Sequence, residues 1–388
     1  MRILERKTLA EFLKNCLGDS ELIAPVEIEG RLYFQQLDPE QQLAELAWPA
    51  AAAKAVSREH GESPGATSAP DPLTVNSIKE FFFPRRQELY EQRPDGIIPR
   101  DAADGKRRLL LFARACDTRG LTILDRVFLG VTEDESYGRA RNETTIVGLH
   151  CLQPDRHCFC TSLDGGPFGT EGMDLALTPL EDERFLAQGI SDKGKALLAT
   201  LGGKQAGEGE QEEAEQLRKA AEGAIRRAIR VPDQQTMDAR FDSPYWKEVS
   251  RACLTCGICS YLCPTCHCFD IVDEGYLRLR CWDTCSSDTF TRMAAGEDHR
   301  RLKHSRYRQR IYHKFSYFKE NFDTHACVGC GRCTRWCPVK TDIVEIVNGI
   351  GETAAAGRPS GNESASGRPV KAGAKSTAAK STGSGARR

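Results

Sequence analysis

The run Cys253-Leu-Thr-Cys256-Gly-Ile-Cys259-Ser-Tyr-Leu-Cys263-Pro264 has the spacing C-x2-C-x2-C-x3-C-P. The run Cys327-Val-Gly-Cys330-Gly-Arg-Cys333-Thr-Arg-Trp-Cys337-Pro338 repeats it. A cubane 4Fe–4S centre needs four thiolates at tetrahedral corners. Three come from one tight loop, whose glycine lets backbone amides turn toward the sulfides. The fourth comes from elsewhere, and in two-cluster proteins it belongs to the other cluster. The spacing therefore pairs Cys253, Cys256 and Cys259 with Cys337, and Cys327, Cys330 and Cys333 with Cys263. Each following proline ends the loop. Zinc is the competing reading, because C-x2-C pairs also make zinc knuckles. Zinc takes ligands two plus two, and leaves the third evenly spaced cysteine and the fourth before proline unexplained. Cys263-Pro-Thr-Cys266-His267 also fits a c-type haem attachment pattern, but Cys263 is already used by a quartet.

Nine further cysteines complete the seventeen: Cys16, then Cys116, Cys151, Cys158 and Cys160, and then Cys266, Cys268, Cys281 and Cys285. So many thiols in a chain of 388 residues are not needed as disulfide staples, and in a reducing compartment they mean metal or redox work. The basic stretch Arg300 to Lys314 holds seven Lys or Arg, two His and no acid. It reads as a phosphate stripe, a docking surface, or a source of positive charge that tunes a cluster. The chain as a whole carries a formal charge of −1 from 54 basic and 55 acidic side chains, which removes a bulk-charge argument for nucleic acid. No run reaches the 18 or so apolar residues of a membrane span, and the first residues form no apolar signal segment, so a cytoplasmic location is expected.

The elements that must hold these residues divide the chain. Residues 1–200 mix strand and helix signals. Arg108 to Arg114 and Thr144 to Leu149 read as short buried strands; Gly120 to Leu129 and Glu181 to Gln188 read as helices. No dinucleotide fingerprint or Walker lysine is present. Residues 51–72, rich in Ala, Gly, Ser and Pro, read as a flexible insertion. Residues 201–235 read as a linker entering an amphipathic helix, with Leu217, Ala220, Ala221, Ala224 and Ile225 on one stripe. Residues 236–350 read as helical, with helix-like Asp288 to Ala295 and Arg306 to Phe318 between the quartets. Residues 351–388, with seven basic and two acidic side chains, read as a disordered basic tail. The fold class expected is α+β: an N-terminal mixed α/β domain followed by an α-helical dicluster ferredoxin-like domain.

Particular segments resemble one family, that of the beta subunits of cytoplasmic sulfhydrogenases and the A subunit of anaerobic sulfite reductase. They are Cys263-Pro-Thr-Cys266-His267-Cys268-Phe269-Asp270, Trp282-Asp283-Thr284-Cys285, His313-Lys314-Phe315 and the second quartet. In the first half they are Cys116-Asp117, Leu124-Asp125-Arg126-Val127-Phe128, Cys158-Phe159-Cys160-Thr161-Ser162 and Asp174-Leu175-Ala176-Leu177-Thr178. The resemblance covers about Ser77 to Val347. It departs at Cys281, an extra thiol, and at Glu297-Asp298-His299-Arg300. It implies an electron-transfer subunit with 4Fe–4S clusters, two by the spacing above. No nucleophile–base pair or carboxylate dyad stands out, so turnover is expected in a partner, and exposed cubanes suggest an anaerobic or microaerobic setting. Such a subunit relays electrons between a flavin-bearing, NAD(P)H-reactive or ferredoxin-linked partner and a catalytic one. The catalytic partner is a NiFe hydrogenase, a sulfite reductase or a heterodisulfide-reductase type. An iron–sulfur sensor that binds nucleic acid or a regulator through residues 300–314 is the reading from another class.

Cys116 follows the first expected strand and Cys151 the second, so both emerge at one sheet edge beside the Cys158-Phe-Cys160 loop. With the resemblance, this convergence favours a third iron–sulfur cluster on Cys116, Cys151, Cys158 and Cys160; buried packing is the alternative. His150 and His157 flank the same loops and could replace a thiolate. Cys266, Cys268, Cys281 and Cys285 read as packing around a cubane or as a separate metal site.

Overall fold

The computed structural model describes residues 1–16, 20–37, 46–49, 73–100 and 107–356. The insertion expected at 51–72 and the tail from residue 357 onward lie outside the described residues. Twelve strands are described: β1 (Arg2–Glu5), β2 (Ser20–Ile28), β3 (Arg31–Gln36), β4 (Arg86–Arg93), β5 (Gly96–Pro99), β6 (Arg107–Arg114), β7 (Thr144–Leu149), β8 (Leu175–Pro179), β9 (Arg184–Gly189), β10 (Lys204–Gln205), β11 (Phe269–Glu274) and β12 (Leu277–Trp282). Eight of them form a mixed sheet in the order β10-β1-β9-β8-β7-β6-β2-β3, with β2, β6, β7 and β8 parallel.

The two strands expected around the thiols, β6 and β7, are central and nearly continuous runs of apolar residues, as strands covered on both faces must be. Leu109 and Leu111 face one core with Val147 and Leu149, while Leu110 and Ala113 face another with Ile146 and Leu121. Phe112 is an extra residue in the β6–β7 register, with φ 60°. Such a bulge bends the strand and changes the direction in which the chain leaves it. The chain leaves β6 directly into the helix Ala115–Phe128, which carries Cys116 in its first turn.

Several expectations give way here. Glu181 to Gln188 is not a helix: Phe185, Leu186 and Ala187 are buried in β9, paired on one side with β8 and on the other with β1. The Glu-rich segment has helical propensity, but pairing and burial override it. Asp288 to Ala295 forms turns, closed by a bridge between Arg292 and Asp298. The stretch 201–235 is more than a linker. Its helix Glu208–Ala224 lays Ala214 and Leu217 against Leu180 and Leu186 of the sheet domain, while Ala220 is exposed rather than on the stripe. The last helix runs Ile343–Ala356, so ordered structure extends past residue 350 into the start of the expected tail.

The largest difference is that the two halves do not close separately. β11 and β12 form a hairpin inside the stretch expected to be helical, and β12 pairs with β4 of the first half, giving the sheet β11-β12-β4-β5. The cores are shared as well. Phe159 and Leu163 of the first half pack with Met237, Trp246, Tyr312 and Val347 of the second, and Ile123 packs with Phe318, Val328 and Cys330.

Candidate metal centres

The loop from Cys253 turns into the short helix Ile258–Tyr261 through Gly257, at φ +75°. A Cβ there would stand 2.8 Å from the Tyr261 ring and 2.9 Å from Thr284 Cγ2, so conformation and space both require glycine. The result is one cavity lined by Cys253, Cys256, Cys259 and Cys337, with Cys333 on its wall beside Tyr307 and Arg310. Backbone amides already point at two of the sulfurs: Thr255 N–H donates to Cys253 Sγ (3.4 Å) and Thr341 N–H to Cys337 Sγ (3.2 Å). Amide–sulfur bonds of this kind are among the factors that set cluster potentials. Cys256 is exposed, so this site opens at the surface.

The second quartet lies deeper, with Cys327 and Cys330 buried, and Cys263 of the first run, also buried, meets it there. Cys263 is close enough to act electrostatically on each of Cys327, Cys330 and Cys333. Burial raises those three thiols, Cys327 to about 11. Cys263 behaves in the opposite way. A hydrogen bond from Cys266, and then the positive charges of Lys314 and Arg310, hold it well below the ordinary thiol range despite burial. Lys314 Nζ stands 3.3 Å from Cys263 Sγ and also donates to Ala326 O (2.9 Å).

The four first-half cysteines meet as well. Cys116, Cys151, Cys158 and Cys160 line one cavity, and Cys330 of the second quartet forms part of its wall. Burial pushes all four thiols up, Cys160 to about 12. The Cys158–Cys160 loop and the second quartet loop are packed backbone to backbone. Phe159 N–H donates to Gly329 O (2.8 Å), and a Cβ on Gly329 would stand 2.5 Å from Cys160 Cα. Gly329 and Gly331 both have positive φ, +68° and +73°. His150 and His157 do not line the cavity. His150 Nδ1 bonds to Thr178 Oγ1 (2.8 Å), with its ring stacked on Phe168, and His157 Nδ1 pairs with Asp155 (2.8 Å).

A buried ion pair ties this region together. Arg332 and Asp117 are both fully buried and 2.8 Å apart, and Arg332 also donates to Thr74 O (3.0 Å). Arg332 sits between Cys330 and Cys333, and Asp117 follows Cys116. Both residues lie in segments that carry the resemblance, but nothing in the sequence pairs Asp117 with Arg332.

The basic segment turns inward. Arg306, Arg310 and Lys314, spaced four apart on the helix Lys303–Tyr312 and the π-turn His313–Tyr317, are all buried. Arg306 donates to Ser286 O (3.1 Å), and Arg308 lies 3.5 Å over the Phe241 ring. These side chains are therefore not free to form a phosphate stripe. Lys79, from the first half, joins them: it donates to Cys266 O (2.8 Å) and lies 4.1 Å over Trp282. Of the four remaining second-half thiols, Cys266, Cys268 and Cys285 interact with one another or with Cys263. Cys281 lies in β12 opposite Asp270 and Arg86.

Among the described residues, no three His, Cys, Asp or Glu stand close enough together to hold a single ion. Four thiols around one cavity, at each of two sites, are the donor set that a 4Fe–4S core takes.

Residues 252–341, which contain all eight quartet cysteines, match the family of 4Fe-4S dicluster domains. Over 305 residues the chain is 32% identical to the sulfhydrogenase 2 subunit beta of Pyrococcus furiosus, covering 72% of this chain and 88% of that protein. The chain belongs to the sulfhydrogenase beta-subunit family. It is an iron–sulfur electron-transfer protein of the dicluster type. Among the described residues no helix is long and apolar enough to cross a membrane.

Proposed function

We propose that the chain is the electron-relay subunit of a multi-subunit oxidoreductase. One 4Fe–4S centre is held by Cys253, Cys256, Cys259 and Cys337, and a second by Cys327, Cys330, Cys333 and Cys263. A third iron–sulfur centre is held by Cys116, Cys151, Cys158 and Cys160. Each centre, when bound, takes up and returns one electron. The observation that carries this reading is the chain of shared walls. Cys333 borders the first cavity, and Cys330 of the same loop borders the third.

The residues around the sites supply the rest. Arg310, Lys314 and Lys79 place positive charge beside the thiolates and favour the more negative, reduced state. Phe159, Val328 and Ile123 keep water from the inner sites. Cys256 and Leu254, the latter 61% exposed, bring the first site to the surface, where a redox partner can approach. The partners we assign are a flavin-bearing, NAD(P)H-reactive or ferredoxin-linked protein on one side and a catalytic hydrogenase or reductase on the other. A hydrogenase fits best, because the relative is a sulfhydrogenase subunit.

The test is iron and acid-labile sulfide per chain on anaerobically purified protein, with EPR after reduction and identification of copurifying subunits. About twelve of each supports three cubanes, and about eight removes the third. Zinc in place of iron, or a protein that purifies alone and binds nucleic acid on oxidation, overturns the reading.

A further inference from the structure

Cys268 and Cys285 belong to none of the three cysteine sets, yet they form a pair. The β11–β12 register matches Phe269 with Trp282, and Asp283 N–H donates to Cys268 O (3.0 Å), which draws the two flanking chains together. The two thiols act on one another electrostatically, and the Cys285 backbone N–H lies near Cys268. Cys285 is buried and Cys268 half-buried.

Their surroundings are polar. Thr284 Oγ1 donates to Ser260 Oγ (2.9 Å), and Arg310 donates to that same Ser260 oxygen (3.1 Å). Arg310 also reaches Cys259 O (2.8 Å) and Cys266 Sγ (3.5 Å), so it touches a residue of the first quartet and the neighbour of Cys263 in the second. Arg310, Lys314 and Lys79 are buried, and among the described residues none forms an ion pair with a carboxylate; cysteines are the negative partners they face. A buried cysteine used only for packing sits among apolar groups. Two neighbouring thiols, with hydroxyls and cations nearby that stabilise negative charge on sulfur, are arranged for thiol–disulfide chemistry.

We propose that Cys268 and Cys285 form a reversible dithiol–disulfide couple, a two-electron store beside the one-electron centres. The proposal rests on the relay reading above. On oxidation both S–H bonds break and one S–S bond forms. Two protons pass to water, and two electrons leave singly to one-electron iron–sulfur acceptors; reduction reverses each change. Such a couple would match a partner that delivers electrons in pairs to centres that accept them one by one.

The test uses the full-length, cluster-loaded protein, poised anaerobically at a series of potentials, quenched in acid, unfolded and alkylated. The expected result is that Cys268 and Cys285 lose labelling together at the oxidising end. They are then recovered as one crosslinked peptide pair, lighter by two hydrogens. Cys285→Ser is expected to take up two fewer electrons per chain in a reductive titration, with iron and sulfide unchanged. Full labelling of both cysteines at every potential overturns the proposal. Loss of about four iron in Cys285→Ser also overturns it, because that makes the residue a cluster ligand. The labelling is read on the unmutated protein, so a variant that fails to fold leaves the test intact. Iron content and EPR of that protein report separately whether the relay reading stands.

Discussion

The two quartets have the same spacing and different surroundings. The first opens at the surface through Cys256, and its walls are largely loop residues. The second has Cys327 and Cys330 buried beside Cys263, with Lys314 at the Cys263 sulfur and the Asp117–Arg332 pair behind its loop. A motif thus specifies what is bound, whereas burial and nearby charge decide what the bound group does. On the proposed relay, the exposed site would exchange electrons with a partner and the buried one would pass them on.

The strongest way to separate the two is ligand removal. Cys256→Ala and Cys327→Ala should each lose about four iron or convert one centre, with distinct EPR signals lost in the two variants. Unchanged iron in either breaks the assignment. Next in size is the buried pair behind the second site. Asp117→Asn or Arg332→Met leaves an uncompensated partner in the interior and should destabilise the holoprotein by about 3–5 kcal/mol. The double variant should lie closer to wild type than either single one, as read from denaturation midpoints. If the singles are neutral, the ion pair does not hold the loops together.

The comparison sharpens with Lys314→Met. Loss of one buried positive charge near Cys263 should lower the second centre's potential by on the order of 100 mV at an effective dielectric constant of about 20. The first centre should move less, and an EPR-monitored redox titration distinguishes the two. Equal shifts would mean that Lys314 does not discriminate between the sites. The smallest effect is expected for Arg308→Ala, which removes the contact over Phe241 and should cost about 0.5–1 kcal/mol with both potentials unchanged.

The cysteines were legible because metal chemistry fixes their spacing locally. The meeting of Cys116, Cys151, Cys158 and Cys160 was legible because two buried parallel strands deliver residues to the same edge. The features that could not be read from the sequence depend on long-range pairing. Lys79 reaches Cys266, Asp117 meets Arg332, and β4 adds to β12, each across much of the chain. The stretch 181–188 looked helical because the central position of β9, between β8 and β1, leaves no local trace. The basic segment looked like a surface because its charge is evident in the sequence, while its inward face depends on what packs against it.

The four-stranded sheet also constrains how the molecule is made. Arg86 pairs with Cys281, and the third cysteine cavity has Cys330 as part of its wall. During synthesis β4 is therefore left with an open edge until the β12 segment has left the ribosome, and exposed edges invite mispairing. On the proposed third centre, iron could not be enclosed at Cys116 and Cys151 before the Cys327–Cys337 loop has been translated. Loading of that centre and closure of the fold would then be a single late event.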